Sequence, residues 1–168
     1  MSLSQTIFAC GDIGNNVVIL TATDADGNAS TATSVMNVID TVSPMVSAQA
    51  IIVCLNASGS ATISASDLNN ASTDNFAIAS YSISKSSFDC SNVGANNVTL
   101  TAMDASGNSS SSSAVVTVMD TISPNVLSTN CTLSLDASGN ASITPSDIDN
   151  GSSDACGGPS FSLNPSHC

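Results

Sequence analysis

The chain contains no Glu, no Arg and no Trp, and Lys85 is its only Lys or Arg. These gaps exclude whole classes of function. A nucleic-acid binder displaces phosphate counterions with Lys and Arg, so no nucleic-acid partner is expected. A coiled coil or long helix needs runs of Ala, Leu, Glu and Lys, which are missing. Aromatic residues are only 3% of the total, so stacking platforms for sugars are scarce. No segment approaches 18 uninterrupted apolar residues, and no membrane insertion is expected. Met1-Ser2-Leu3-Ser4 has neither the charged nor the apolar region of a signal peptide. The single imidazole, His167, sits next to the C-terminus, so no Ser-His-Asp or Cys-His arrangement repeats with the units. Paired Asp could serve a glycosidase in principle, but here they fall in turns. No catalytic residue and no enzyme activity are expected.

What remains is distinctive. The 168 residues are 42% hydrophobic, and the apolar residues come in ordered bursts that argue against disorder. All 13 acidic residues are Asp, and the formal net charge is −12. Six Cys occur with no CxxC spacing. They read as disulfide material rather than a zinc site, which places the chain in an oxidising compartment outside the cell.

The sequence repeats itself at an offset of 80 residues. Gly11 to Asn28 aligns without gaps on Ser91 to Asn108, and Val38-Ile-Asp40-Thr-Val-Ser-Pro44 aligns on Val118-Met-Asp120-Thr-Ile-Ser-Pro124. Leu55 to Asp67 matches Leu135 to Asp147 more loosely, and Phe8-Ala-Cys10 matches Phe88-Asp-Cys90. Cys168 fits the same slot if two residues are deleted before it.

Each unit reads as strands. Val98, Leu100 and Ala102 alternate with Thr99, Thr101 and Met103, and Val115-Val116-Thr117-Val118 is β-branched. Between them Asp104-Ala-Ser-Gly107-Asn108 supplies a turn that closes a hairpin, as Asp24-Ala-Asp-Gly27-Asn28 does earlier. A second hairpin is expected from Leu133–Leu135, a turn over Asp136–Asn140, and Ala141–Ile143. One helical turn is expected near Ser66-Asp67-Leu68 or Ser146-Asp147-Ile148. Short strands with turn signals every 8–12 residues predict an all-β fold of tandem immunoglobulin-like antiparallel β-sandwich repeats of about 80 residues.

Pro44 and Pro124 follow the strongest strands and cannot continue a ladder, so they mark borders. Residues 44–123 then form a complete immunoglobulin-like repeat. Residues 1–43 are the C-terminal part of a preceding repeat, and residues 124–168 are the N-terminal part of the next. Two explanations stay open: a slice of a longer array, or copies that complete each other head to tail by strand complementation.

Four stretches together carry a resemblance: Phe88-Asp-Cys90-Ser-Asn-Val-Gly94, Val98-Thr-Leu-Thr, Asp104-Ala-Ser-Gly-Asn108 and Val118-Met-Asp120-Thr-Ile-Ser-Pro124. With Leu135 to Gly157, they resemble the HYR-like, immunoglobulin-fold tandem repeats of very large Bacteroidetes surface proteins, including gliding-motility adhesins. The resemblance covers nearly the whole chain. It implies an extracellular, structural or adhesive role at a bacterial cell surface. It also implies a Cys156–Cys168 disulfide. Asn75-Phe76-Ala77 stands where Ala155-Cys156-Gly157 sets the pattern, so Cys90 lacks its usual partner and Cys54–Cys90 becomes the candidate substitute. Cys10 and Cys131 are left over.

Two further residue sets are candidates. Asp147, Asp149 and Asp154, with Asn150, cluster within eight residues, and Asp67 and Asp74 repeat two of them. Asp40 and Asp120 precede the border prolines. Such hard oxygen ligands suit Ca²⁺, the one cofactor expected, and a bound ion at Asp40 or Asp120 would stiffen the joint between units. The alternative is solvated turn Asp that keeps a repetitive β-protein soluble. Asp40-Thr41-Val42 and Asp120-Thr121-Ile122 resemble the Asp-Ser/Thr-aliphatic O-glycosylation motif of Bacteroidetes, making Thr41 and Thr121 candidate O-linked sites. Asn-x-Ser/Thr sequons are scarcely more frequent than this composition gives by chance.

The functional expectation is an extracellular structural repeat forming a stalk or fibre of a surface adhesin or filament. Its partners would be neighbouring repeats of the same chain or head-to-tail copies. A module that grips surface glycans, or an accessory repeat of a secreted hydrolase, is the alternative.

Overall fold

The computed structural model describes residues 1–164. It is mostly β: β1 (Ser2–Leu3), β2 (Gly14–Thr23), β3 (Ala29–Val38), β4 (Ile51–Cys54), β5 (Ser60–Thr62), β6 (Ile78–Ile83), β7 (Ser87–Asp89), β8 (Gly94–Asp104) and β9 (Ser109–Met119). Two single-turn helices, α1 (Ala65–Leu68) and α2 (Pro145–Ile148), complete the regular structure together with 3-10 turns at Cys10–Asp12 and Cys90–Asn92. No helix among the described residues is long and apolar enough to cross a membrane.

The longest hairpin follows from its sequence. β8 places Val98, Leu100 and Ala102 on one face, all buried, and β9 adds Ala114, Val116 and Val118 to the same face. A period of two with small or β-branched residues inward makes a half-buried antiparallel pair. The register runs from Gly94↔Val118 to Met103↔Ser109. β2 and β3 pair in the same way, from Gly14↔Val38 to Thr23↔Ala29.

Three sheets result, ordered β1-β2-β3, β4-β9-β8-β6 and β5-β7. The last two close on one core. Leu55, Ile63 and Leu68 from the first part of residues 44–123 pack with Phe88, Val98, Ala114, Val116 and Val118 from the second part. This arrangement fits a β-sandwich.

The expected second hairpin does not form. In the middle segment the equivalent strands β4 and β5 join different sheets: β4 pairs with β9 in parallel, and β5 pairs with β7. The turn over Asn56–Ser60 therefore carries the chain across the core rather than back along it. Gly59 sits there at φ +70°, where a Cβ would lie 2.7 Å from Cys90 Sγ. Around Leu133–Ile143 only the turn is present, with Asp136 N donating to Asn140 O at 2.8 Å. Among the described residues the flanking positions form no strand.

What residues 124–164 do retain is local. Asn125↔Ser153 and Ser128↔Asp149 form isolated bridges, as Met45↔Thr73 and Ala48↔Asn69 do eighty residues earlier. The predicted helical turn appears in both places. Ser64 N donates to Asp67 Oδ2 at 2.7 Å and Thr144 N to Asp147 Oδ2 at 2.7 Å, so each helix is capped by its own third residue.

Candidate metal centre

Asp40 follows β3, Asp74 lies just past the Met45↔Thr73 bridge, and Asp104 ends β8. Far apart in sequence, they meet where residues 1–43 join the middle segment. One carboxylate oxygen from each lies within 4.8 Å of the others.

Local hydrogen bonds fix all three. Asp104 is 2% exposed and anchors the β8–β9 turn. Its Oδ1 accepts from Ser106 N at 2.9 Å and Asn108 N at 2.8 Å, and its Oδ2 accepts from Asn108 Nδ2 at 2.8 Å. Burial pushes this carboxyl up, but the bonds from the Asn108 side chain and backbone, with Ser106 and Gly107, outweigh it and hold it below 3.8. Asp40 Oδ1 accepts from Val42 N at 3.0 Å and Asn75 Nδ2 at 3.2 Å. Asp74 Oδ2 accepts from Phe76 N at 3.0 Å.

The other oxygens of Asp40 and Asp74 are different. Asp40 Oδ2 and Asp74 Oδ1 are buried and have no hydrogen-bond partner. A buried acceptor left unpaired is costly, and two anionic ones beside a third carboxylate repel each other. A hard divalent cation would satisfy both demands. The donor set, all carboxylate oxygen, suits Ca²⁺, with waters or carbonyls filling its remaining positions. The only Lys is not there to neutralise the cluster: Lys85 Nζ lies over the Phe88 ring, 5.0 Å from its centroid.

The joint is also tied mechanically. Asn108 Nδ2 donates to Asp40 O at 3.1 Å across it, and within the middle segment Ser110 Oγ donates to the O of the border residue Pro44. At the next joint, Asp120 Oδ1 accepts from Ile122 N at 3.1 Å and Asp154 Oδ2 from Cys156 N at 3.1 Å. Asp154 Oδ1 is again buried and unpartnered.

The remaining candidates have other partners. The carboxylates of Asp67 and Asp147 cap α1 and α2. Asp149 Oδ1 accepts from Ser152 N at 3.0 Å, holding a turn. The run Asp147–Asp149–Asn150–Asp154 is therefore spread over a cap, a turn and a joint. Asp104 was legible only as a turn residue. Its repetition as Asp24 was visible, but not its burial against Asp40 and Asp74.

The disulfide differs from both expected pairs. Cys90 is bonded to Cys156, with 5.0 Å between Cα atoms and 66 residues between them in sequence. A sulfur bonds once, so Cys54–Cys90 and Cys156–Cys168 are replaced; Cys54 is unpaired among the described residues, and Cys168 lies outside them. The physical reason is the joint. The 3-10 turn carrying Cys90 faces the loop of the following segment, whereas Cys54 is on β4 beside Met119. The earlier joint has the same layout without the bond. Cys10 Sγ lies 3.5 Å from Asn75 O, as Cys90 Sγ lies 3.1 Å from Ala155 O, but position 76 is Phe. Thr41 and Thr121 are both exposed beside these joints.

No family model and no curated protein matches the chain.

Proposed function

We propose that the chain is a run of tandem immunoglobulin-like repeats that serves, outside a bacterial cell, as the stalk or fibre of a surface adhesin or filament. Its work is mechanical, and no catalytic step is assigned to it. Each repeat is a bead that contacts only its neighbours, so reach grows by adding beads. The joints decide whether such a string is stiff or slack. One observation carries this reading: two buried, unpartnered carboxylate oxygens, Asp40 Oδ2 and Asp74 Oδ1, come from opposite sides of one joint. Ca²⁺ held by Asp40, Asp74 and Asp104 would clamp the segments together. The Cys90–Cys156 bond supports the same role at the next joint, since it ties a turn of the middle segment to residues beyond Pro124. Thr41 and Thr121, exposed beside the joints, are the proposed O-glycosylation sites.

Small-angle scattering and thermal melts with Ca²⁺ or excess EGTA test the clamp. With Ca²⁺ the melting temperature should rise by several degrees and the scattering profile should become that of a stiffer rod. Asp74→Asn should weaken Ca²⁺ binding at least tenfold while leaving the β spectrum unchanged. Identical melts in Ca²⁺ and EGTA would remove the ion. Images of native material test the wider reading: a beaded fibre supports it, and discrete globular particles overturn it.

A further inference from the structure

The chain has two linkers of one design. Ile39-Asp40-Thr41-Val42-Ser43 leads from β3 to Pro44, and Asp120-Thr121-Ile122-Ser123 leads from β9 to Pro124. Neither belongs to a strand or helix. Ile39 is 68% exposed and Val42 53%, and Thr41 and Ser43 are exposed with them. An endopeptidase takes its substrate as extended chain. An exposed linker with aliphatic side chains in water is therefore a favoured place for nicking.

What spans each linker differs. The Cys90–Cys156 bond closes a loop that contains residues 120–124, so a nick there leaves both pieces covalently joined. The first linker has no such bond across it. Cys10 stands in the place of Cys90 but is unpaired among the described residues, and Phe76 stands in the place of Cys156. The contacts over the first joint are weaker ones. Asn75 Nδ2 donates to Asp40 Oδ1, Asn108 Nδ2 donates to Asp40 O, and Cys10 Sγ lies 3.5 Å from Asn75 O. Two of these end on Asp40, which sits inside the linker itself. Asp74 and Asp104 lie beyond it, and the buried, unpartnered oxygens of Asp40 and Asp74 leave the place for an ion. An ion held there would pin the linker to the middle segment.

We propose that residues 39–43 are a Ca²⁺-gated cleavage site for an endopeptidase that cuts after aliphatic residues, and that the string parts there while the second joint survives nicking. The inference rests on the Ca²⁺ clamp described above and names what that clamp controls. The chemistry is plain hydrolysis. Water adds across the peptide bond after Ile39 or Val42, leaving a new carboxylate and a new amine. With the ion bound, Asp40 is fixed to Asp74 and Asp104, and the linker cannot peel away into an enzyme cleft. Without it, three carboxylates repel one another and the linker loosens. Cleavage of a transiently opened segment tracks the open population. An ion that binds only the closed joint, at one hundred times its Kd, cuts that population about a hundredfold.

The test uses the full chain with its Cys90–Cys156 bond intact and pancreatic elastase, which cuts after small aliphatic residues. Digests in Ca²⁺ and in excess EGTA are read on reducing and non-reducing gels, with fragments located by mass spectrometry. Casein digested alongside checks that the enzyme itself is equally active in both. In EGTA a cut within residues 39–43 should release the N-terminal piece whether or not reductant is present. Ca²⁺ should slow that cut at least tenfold. Cuts within residues 120–123 should separate fragments only after reduction. Asp74→Asn should be cut in Ca²⁺ as fast as the parent is in EGTA. The proposal alone is overturned if melts respond to Ca²⁺ yet residues 39–43 are cut equally fast in both, or in neither. Melts that ignore Ca²⁺ overturn the clamp and this proposal together.

Discussion

The β8–β9 hairpin and the β2–β3 hairpin have the same register, ten residue pairs each, and much the same sequence. One lies in a filled core and the other has an open face. The difference teaches that the hairpin is encoded locally, by alternation and an Asp-Ala-x-Gly-Asn turn, whereas burial is conferred by chain that arrives from elsewhere. Leu100→Ala should therefore cost on the order of 4 kcal/mol, the usual loss for deleting a fully buried Leu. Leu20→Ala should cost less than about 1 kcal/mol in dilute solution, since much of that side chain is already wet. Chemical denaturation measures both. Equal costs would break the contrast.

The later joint has a second cysteine opposite its 3-10 turn where the earlier one has Phe76, and that difference can be erased. Phe76→Cys places a thiol opposite Cys10, where the later joint carries its disulfide. The variant should show one free thiol fewer than the parent chain in labelling, since Cys10 and the new thiol are both consumed, and gain about 2–4 kcal/mol, as a loop of that length gives in the chain-entropy model. Loss of that gain on reduction would tie it to the bond. A variant whose new thiol stays free would show that the two joints are not built alike.

A smaller contrast lies in the turns. Gly59 and Gly139 both sit at positive φ, yet a Cβ on Gly59 meets Cys90 Sγ at 2.7 Å, while one on Gly139 meets nothing within 4 Å. Both Ala variants bear the left-handed backbone cost of about 1 kcal/mol. Gly59→Ala should lose roughly 1–3 kcal/mol more through overpacking. Melts of the two variants give the difference directly.

Sequence reading reached different depths along the chain. The β8–β9 hairpin, its turn and both helical turns were legible because each rests on neighbours in sequence: Val98, Leu100 and Ala102 alternate, and Ser64 and Thr144 precede Asp67 and Asp147 by three. The strand pairing of Ile51–Cys54 was not legible. Its partner, β9, begins 55 residues later, and nothing near Asn56–Ser60 says whether the chain folds back or crosses the core. The acid cluster was half legible. Asp40 and Asp74 stood out by repetition, but their meeting with Asp104 depends on how segments abut. The Cys90–Cys156 bond failed the same way, since its sulfurs belong to different segments and spacing within one segment cannot find it.

The finest contrast is between α1 and α2, which carry the same cap under different cover. The Ser64 backbone N–H, then its hydroxyl, holds the Asp67 carboxyl below its ordinary 3.8, and Thr144 does the same for Asp147. A depressed folded value means that each carboxylate contributes stability above pH 3.8, and that the contribution is lost as pH falls through the folded value. Acid should thus loosen both turns, beginning below 3.8. The two should not go together. Leu68 anchors α1 in the core, while Ile148 of α2 is only half-buried, so α2 has less packing to hold it once its cap is protonated. Amide resonances of Ser64 and Thr144 followed through an acid titration read the two separately. Thr144 should lose its cap-bonded shift at a higher pH than Ser64. The reverse order, or coincident transitions, would mean that the cap alone sets the stability of each turn and that the cover over Leu68 adds nothing to it.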